Sequence, residues 1–221
     1  MTEGSEVRVV DDVPAAFAGV LASCAPRTLA LSGGGTAERC YLALREAGGL
    51  EWEDLTVLFG DERWVPVDDP DSNEGMARGA LLDHVPVRAV HSLRGAGVDL
   101  TAAADAYDAL VASLGRLDVV HLGLGPDGHT ASLFPGNASL AVDDRLVVAT
   151  GDDAHPHPRL TLTYPGIARA DVAVVTVEGA DKAEAWRRVQ AGDDVPAAGI
   201  TAGEVVWLVD PAAAGRVEGP A

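Results

Sequence analysis

The chain's 221 residues and 22.7 kDa fit a single domain, residues 1–221, since one core grows to roughly 250 residues before a chain splits. With 48% hydrophobic residues but only 5% aromatic, that core is built mainly of Val, Leu and Ala, the make-up of buried parallel strands between helices. A formal charge of −18 with a pI near 4.5 argues against nucleic acid or an anionic membrane as a partner held by long-range attraction.

In chain order, Val7 to Val10 reads as a short strand and Val13 to Ala22 as a small helix. Thr28 to Leu31 is an apolar strand that runs into Ser32-Gly33-Gly34-Gly35-Thr36, after which Ala37 to Ala47 has helical periodicity. Leu55 to Phe59 is a further strand ending at Asp61-Glu62-Arg63, and Ser72-Asn73-Glu74 begins a helix through about Leu82. Taken alone, the acidic-basic triplet at 61–63 reads as solvated surface. Asp99 caps a longer helix to Leu114, because an Asp there accepts an orphan backbone N–H at the positive helix end. Leu117 to Leu122 is a central strand. Strands follow near Leu146 to Ala149, Leu160 to Thr163, Val172 to Val177 and Val205 to Val209, with a helix from Asp181 to Gln190. This alternation predicts an α/β fold: an open, mainly parallel sheet with right-handed crossovers and helices on both faces, three layers in all. Asp68 to Asp71 reads as an exposed acidic loop and Ala212 to Ala221 as a frayed tail.

Cys24 and Cys40 occur in a chain with no apolar signal segment and no run of about 18 apolar residues, so buried thiols in a cytoplasmic protein are expected. His84, His91 and His121 have no motif around them and read as structural or surface groups. His155 and His157 have the alternate spacing of two metal ligands, but no third ligand is placed, so no metal is expected.

Three segments fall just after strand ends, the usual ligand crevice of an open α/β sheet. The most informative is Leu122-Gly123-Leu124-Gly125-Pro126-Asp127-Gly128-His129-Thr130-Ala131-Ser132-Leu133-Phe134-Pro135-Gly136. Its glycines let the backbone turn tightly, and its acid and histidine can position and move a proton near neutral pH. Ser32 to Thr36 opens a helix whose unpaired N–H groups suit a phosphate or a hydroxyl-rich ligand. No Gly-Lys-Thr/Ser follows, which disfavours nucleotide binding. An anion site in so acidic a chain must be a local exception made of arginines and backbone N–H groups, because Lys182 is the only lysine.

These motifs, with Gly60-Asp61-Glu62-Arg63-Trp64-Val65-Pro66, closely resemble the 6-phosphogluconolactonase family, from about the first strand to the last. The resemblance implies the glucosamine-6-phosphate deaminase-like, Rossmann-like fold. It also implies hydrolysis of 6-phospho-D-glucono-1,5-lactone, the second step of the oxidative pentose phosphate pathway, without a cofactor. A sugar phosphate is then the partner of a monomer or weak homodimer.

By the same resemblance His129 becomes the general base, with Asp127 orienting its ring or contacting substrate; Ser32, Gly33, Gly34, Gly35, Thr36, Asp61, Arg63, Gly128 and Arg159 become substrate contacts. Two departures stand out. Ala37 occupies a position that is commonly proline, and Ala154 or His155 one that is often lysine in the segment before Arg159. The phosphate site then rests on Arg159, helped by a histidine or another arginine. A glucosamine-6-phosphate deaminase is the nearest rival, but its Asn-Glu-Pro is Leu133-Phe134-Pro135 here, which supplies no carboxylate. A non-catalytic sugar-phosphate sensor is the other alternative, with no evident use for Asp127 and His129.

Overall fold

A computed structural model describes residues 4–94, 99–151 and 155–216. Seven strands make one wholly parallel sheet: β1 (Ser5–Val9), β2 (Thr28–Leu31), β3 (Thr56–Phe59), β5 (Ala89–Val90), β6 (Leu117–Gly123), β9 (Ala170–Val177) and β10 (Glu204–Val209). Three more, β4 (Asp61–Arg63), β7 (Val147–Thr150) and β8 (Arg159–Leu162), make a small antiparallel sheet. The helices are α1 (Val13–Cys24), α2 (Gly35–Ala47), α3 (Asn73–Ala80), α4 (Leu100–Leu114), α5 (Tyr164–Ile167) and α6 (Ala183–Ala191).

The large sheet reads β1-β10-β9-β6-β2-β3-β5. From β2 the chain winds one way to β3 and β5; from β6 it winds the other way to β9 and β10. The crevice beyond the carboxyl ends of β2 and β6 is therefore the topological switch point, where such sheets bind ligands. Both faces of the sheet are covered. His121 of β6 packs against Phe17 of α1, with ring centroids 4.3 Å apart, and against Tyr41 of α2. Trp207 of β10, on the opposite face, meets Trp186 of α6 at 5.1 Å. The central strands are consequently near-continuous apolar runs: Leu29, Ala30 and Leu31 of β2, Val119 and Val120 of β6, and Ala173, Val174 and Val175 of β9 are all fully buried.

The helix starts follow local chemistry. Asp12 Oδ1 accepts from the Ala15 N–H at 2.8 Å to open α1, and Asp99 Oδ1 from the Ala102 N–H at 2.8 Å to open α4. Ser72 Oγ accepts from the Gly75 N–H at 3.0 Å to open α3. The helix expected from Asp181 begins instead as a 3₁₀ turn, Ala180–Lys182, before α6.

Three expectations are corrected. Leu160 to Thr163 does not join the parallel sheet: residues 151–158 between β7 and β8 are too few for a helical crossover, which needs about a dozen, so β8 returns antiparallel. Asp61 to Arg63 is not a solvated run but a strand, with Asp61 and Glu62 buried. The tail is packed at its start, where Asp210 Oδ1 accepts from the Ala213 N–H at 2.7 Å and Ala213 is buried; residues 217–221 lie outside the described set. Both thiols are free, Cys40 buried and Cys24 half-buried. No helix among the described residues is long and apolar enough to cross a membrane.

Candidate active site

One wall of the switch-point cleft is made of backbone. After β2 the chain turns through Ser32, Gly33 and Gly34, the last at φ 93°, and enters α2. A Cβ on Gly33 would stand 1.8 Å from Asn73 Oδ1, so only glycine fits there. The Ser32 N–H donates to Tyr41 Oη at 2.6 Å, which ties the turn to the helix it starts. Thr176 and Glu178 at the β9 end and Lys182 complete this side, with Arg39 paired to Glu178 nearby.

The loop after β6 supplies the histidine. Gly125 N–H donates to His129 O at 2.8 Å and Gly128 N–H to Gly125 O at 3.0 Å, closing a tight turn. Gly128 has φ 90°, and a Cβ there would meet Val195 Cβ at 2.7 Å. A Cβ on Gly125 would stand 2.1 Å from the His129 ring, so the imidazole lies directly on that glycine. His129 Nδ1 is 2.6 Å from Asp127 Oδ1, and its ring centroid is 4.6 Å from that of Phe134. Burial pushes the Asp127 carboxyl up, but the His129 N–H and imidazole outweigh it and hold it below its usual value. An ionised Asp127 takes the Nδ1 proton as a hydrogen bond and leaves Nε2 as the basic nitrogen.

Beside the glycine turn, the lining is made of side chains from the small sheet and α3. Asp61 Oδ2 accepts from Ser132 Oγ at 2.7 Å, and the Ser132 N–H donates to Thr161 Oγ1 at 3.1 Å; Asp61 and Thr161 are register partners in β4 and β8. This pair grips the histidine loop. Glu62 accepts from the N–H groups of Arg63, Asn73 and Glu74 and from Ser72 Oγ, at 2.7 to 3.0 Å, which caps α3 from outside. Burial pushes the Glu62 carboxyl up and those donors pull it back in part. Asn73 Oδ1 in turn accepts from Arg63 Nη1 at 2.7 Å and Asp71 O from the same nitrogen at 2.9 Å, so Arg63 is held by Asn73 and Asp71 and not by Asp61.

Ser32, Gly33, Gly34, Gly35, Thr36, Asp61, Arg63 and His129 all line one cleft. Asp127, Gly128 and Arg159 do not form its lining. Arg159 is buried, its guanidinium 5.2 Å from the Phe134 ring and donating to His157 O at 3.2 Å. His155 stacks on Phe134 with ring centroids 3.7 Å apart, and His157 Nε2 lies 3.0 Å from Asp71 Oδ2. Ala154 lies outside the described residues. Sequence reasoning missed Asn73, Thr176, Glu178 and Lys182 as cleft residues. The available signals were the solitary lysine and the Ser72-Asn73 pair. Among the described residues no group of three His, Cys, Asp or Glu side chains is placed to hold a metal.

A histidine-carboxylate pair on a glycine turn, at the switch point of a parallel sheet, defines an α/β protein with a small-molecule site. Residues 5–207 match the family described as glucosamine-6-phosphate isomerases/6-phosphogluconolactonase, and the chain belongs to that family. A 6-phosphogluconolactonase of Synechocystis sp. is 42% identical over 83% of this chain and 81% of its own. The solved 6-phosphogluconolactonase of Trypanosoma brucei is 28% identical, with TM-score 0.83 over 97% of this chain and 99% of its own. A monomeric glucosamine-6-phosphate deaminase, 24% identical with TM-score 0.80 over 96% and 99%, shares the fold.

Proposed function

We propose that this chain hydrolyses 6-phospho-D-glucono-1,5-lactone to 6-phospho-D-gluconate. The observation that carries the reading is the His129–Asp127 pair, 2.6 Å apart, at a cleft whose walls also bear Arg63 and Lys182. His129 Nε2 takes a proton from water as the oxygen attacks the lactone carbonyl, giving a tetrahedral oxyanion stabilised by backbone N–H groups of the glycine turns. Collapse breaks the bond to the ring oxygen, which leaves with the proton held by the imidazolium. The residue is then neutral again, and no covalent enzyme intermediate forms. Asp127 holds the ring and stabilises its charged state. Phe134 packs its ring at a tilt against His129 where the deaminase pattern has a glutamate, which favours the lactonase.

Arg63 and Lys182 in the wall, with Arg159 behind Phe134, are the cations for the phosphate. The test is hydrolysis of freshly made lactone, corrected for the spontaneous reaction, with the phosphorylated and unphosphorylated substrates compared. Acceleration with a strong preference for the phosphorylated lactone is expected. Lys182→Ala should raise KM about tenfold or more, as loss of a charged hydrogen bond does, and Arg159→Ala by less. No acceleration over the uncatalysed rate overturns the reading, and turnover of glucosamine 6-phosphate instead moves it to the deaminase.

A further inference from the structure

His121 is fully buried in the middle of the sheet, yet both its ring nitrogens are engaged. Nδ1 lies 3.0 Å from Tyr41 Oη and Nε2 3.0 Å from Thr176 Oγ1. Tyr41 Oη also receives the Ser32 N–H at 2.6 Å and lies 3.0 Å from Ser32 O. The chain Ser32–Tyr41–His121–Thr176 therefore runs beneath the cleft from one lining residue to another.

Proton counting selects one arrangement. The single Tyr41 hydroxyl proton serves either Ser32 O or His121 Nδ1. If it goes to His121, Ser32 O loses its Tyr41 donor. If it goes to Ser32 O, Nδ1–H donates to Tyr41 and the bare Nε2 accepts the Thr176 hydroxyl proton, so the whole chain is satisfied. The other acceptor within reach of that hydroxyl, Leu122 O, is farther away at 3.5 Å. Burial keeps the imidazole neutral, pushing His121 down to about 3. Thr176, a cleft-lining residue only 3% exposed, then has its hydroxyl proton committed to His121 and only lone pairs left for a further partner.

We propose that Thr176 accepts a hydrogen bond from a substrate hydroxyl, and that Tyr41 and His121 are positioning residues that fix its proton while bracing the Ser32 turn. This rests on the lactonase reading, whose substrate carries several hydroxyls. A hydroxyl donor is thereby selected over a group that offers only acceptors.

The test is a double-substitution cycle on the full chain with Thr176→Val and Tyr41→Phe, both near-isosteric. KM and kcat are measured with 6-phosphogluconolactone, and affinity for 6-phosphogluconate by calorimetry. Thr176→Val should raise KM about three- to tenfold with kcat within about twofold, the scale of one hydrogen bond. Tyr41→Phe should act in the same direction, through the imidazole and through the Ser32 turn, and the pair should fall short of the product of the two by about threefold or more, because the part passing through the imidazole is shared with Thr176. Unchanged KM and affinity in Thr176→Val, or effects that simply multiply, overturn the proposal. A wild type that binds 6-phosphogluconate but hydrolyses no lactone overturns the functional reading instead. The relay is then judged on affinity alone, supported by weaker binding in Thr176→Val and overturned by none.

Discussion

The two walls of the cleft are built on opposite principles. The wall from the large sheet is shaped chiefly by backbone, with Thr176, Glu178 and Lys182 at its margin: Gly33, Gly34 and Gly125 stand where a Cβ would collide or the chain turns left-handed. The wall from the small sheet and α3 is buried polar side chain: Asp61 and Asn73 in the lining, with Glu62 holding the Asn73 backbone, each engaged by named donors. A backbone wall is broken by adding an atom, and a side-chain wall by removing one.

The largest effect is expected where the walls meet. His129→Asn removes the proton carrier but keeps a polar side chain, so turnover should fall about 10²–10⁴-fold with substrate affinity and fold retained. Steady-state kinetics after correction for spontaneous hydrolysis checks this; near wild-type turnover would exclude His129 as the base. Next, Gly125→Ala pushes a methyl into the imidazole, whose atoms lie 2.1 Å from the Cβ position. A displacement on the order of 1 Å can cost about 10²-fold, so kcat should drop roughly 10- to 100-fold. An unaltered kcat would mean the backbone wall does not set the ring.

Glu62→Gln attacks the other wall. One amide oxygen replaces two carboxylate oxygens that serve four donors, leaving at least one buried N–H unpaired. Urea unfolding should show a loss of about 2 kcal/mol, with a rise in KM as Asn73 and Arg63 loosen. A variant as stable as wild type would show that α3 caps itself.

A pH-dependent effect sharpens the contrast, because the large sheet also hides one ionisable group. His121 is pushed down to about 3 by burial, whereas an unfolded chain binds a proton there near pH 6.5. The unfolded state therefore gains protons first as pH falls. His121 leaves stability intact above about pH 6.5 and erodes it between there and about pH 3, by at most about 1.4 kcal/mol per pH unit. Comparing wild type with His121→Leu by urea unfolding from about pH 7 to 5, the upper part of that window, isolates the slope; equal slopes would show that acid sensitivity lies elsewhere.

What is legible in the sequence follows the same division. The glycine turns, the Asp127–His129 pair and the Asp12 and Asp99 caps are local, fixed by neighbours a few residues away. Glu62 read alone is a surface charge, and its burial depends on Ser72 to Glu74 and on a strand near residue 160. Lys182 and Thr176 reach the cleft only because β9 lies beside β6, which no local pattern states. His121 reads as idle for the same reason: its partners are 80 and 55 residues away.

The pairing of β4 with β8 joins residues 61–63 to 159–161. A ribosome delivers the first long before the second, so on a growing chain β4 must wait as an unpaired edge while its partner is made. Its brevity and its Asp-Glu-Arg sequence suit that wait, since short charged edges recruit stray strands poorly. Until β8 arrives, Ser132 lacks the Thr161 half of its grip, and the histidine loop is incomplete. Enzymatic competence in a nascent chain would thus appear late and all at once, making activity a reporter of finished folding.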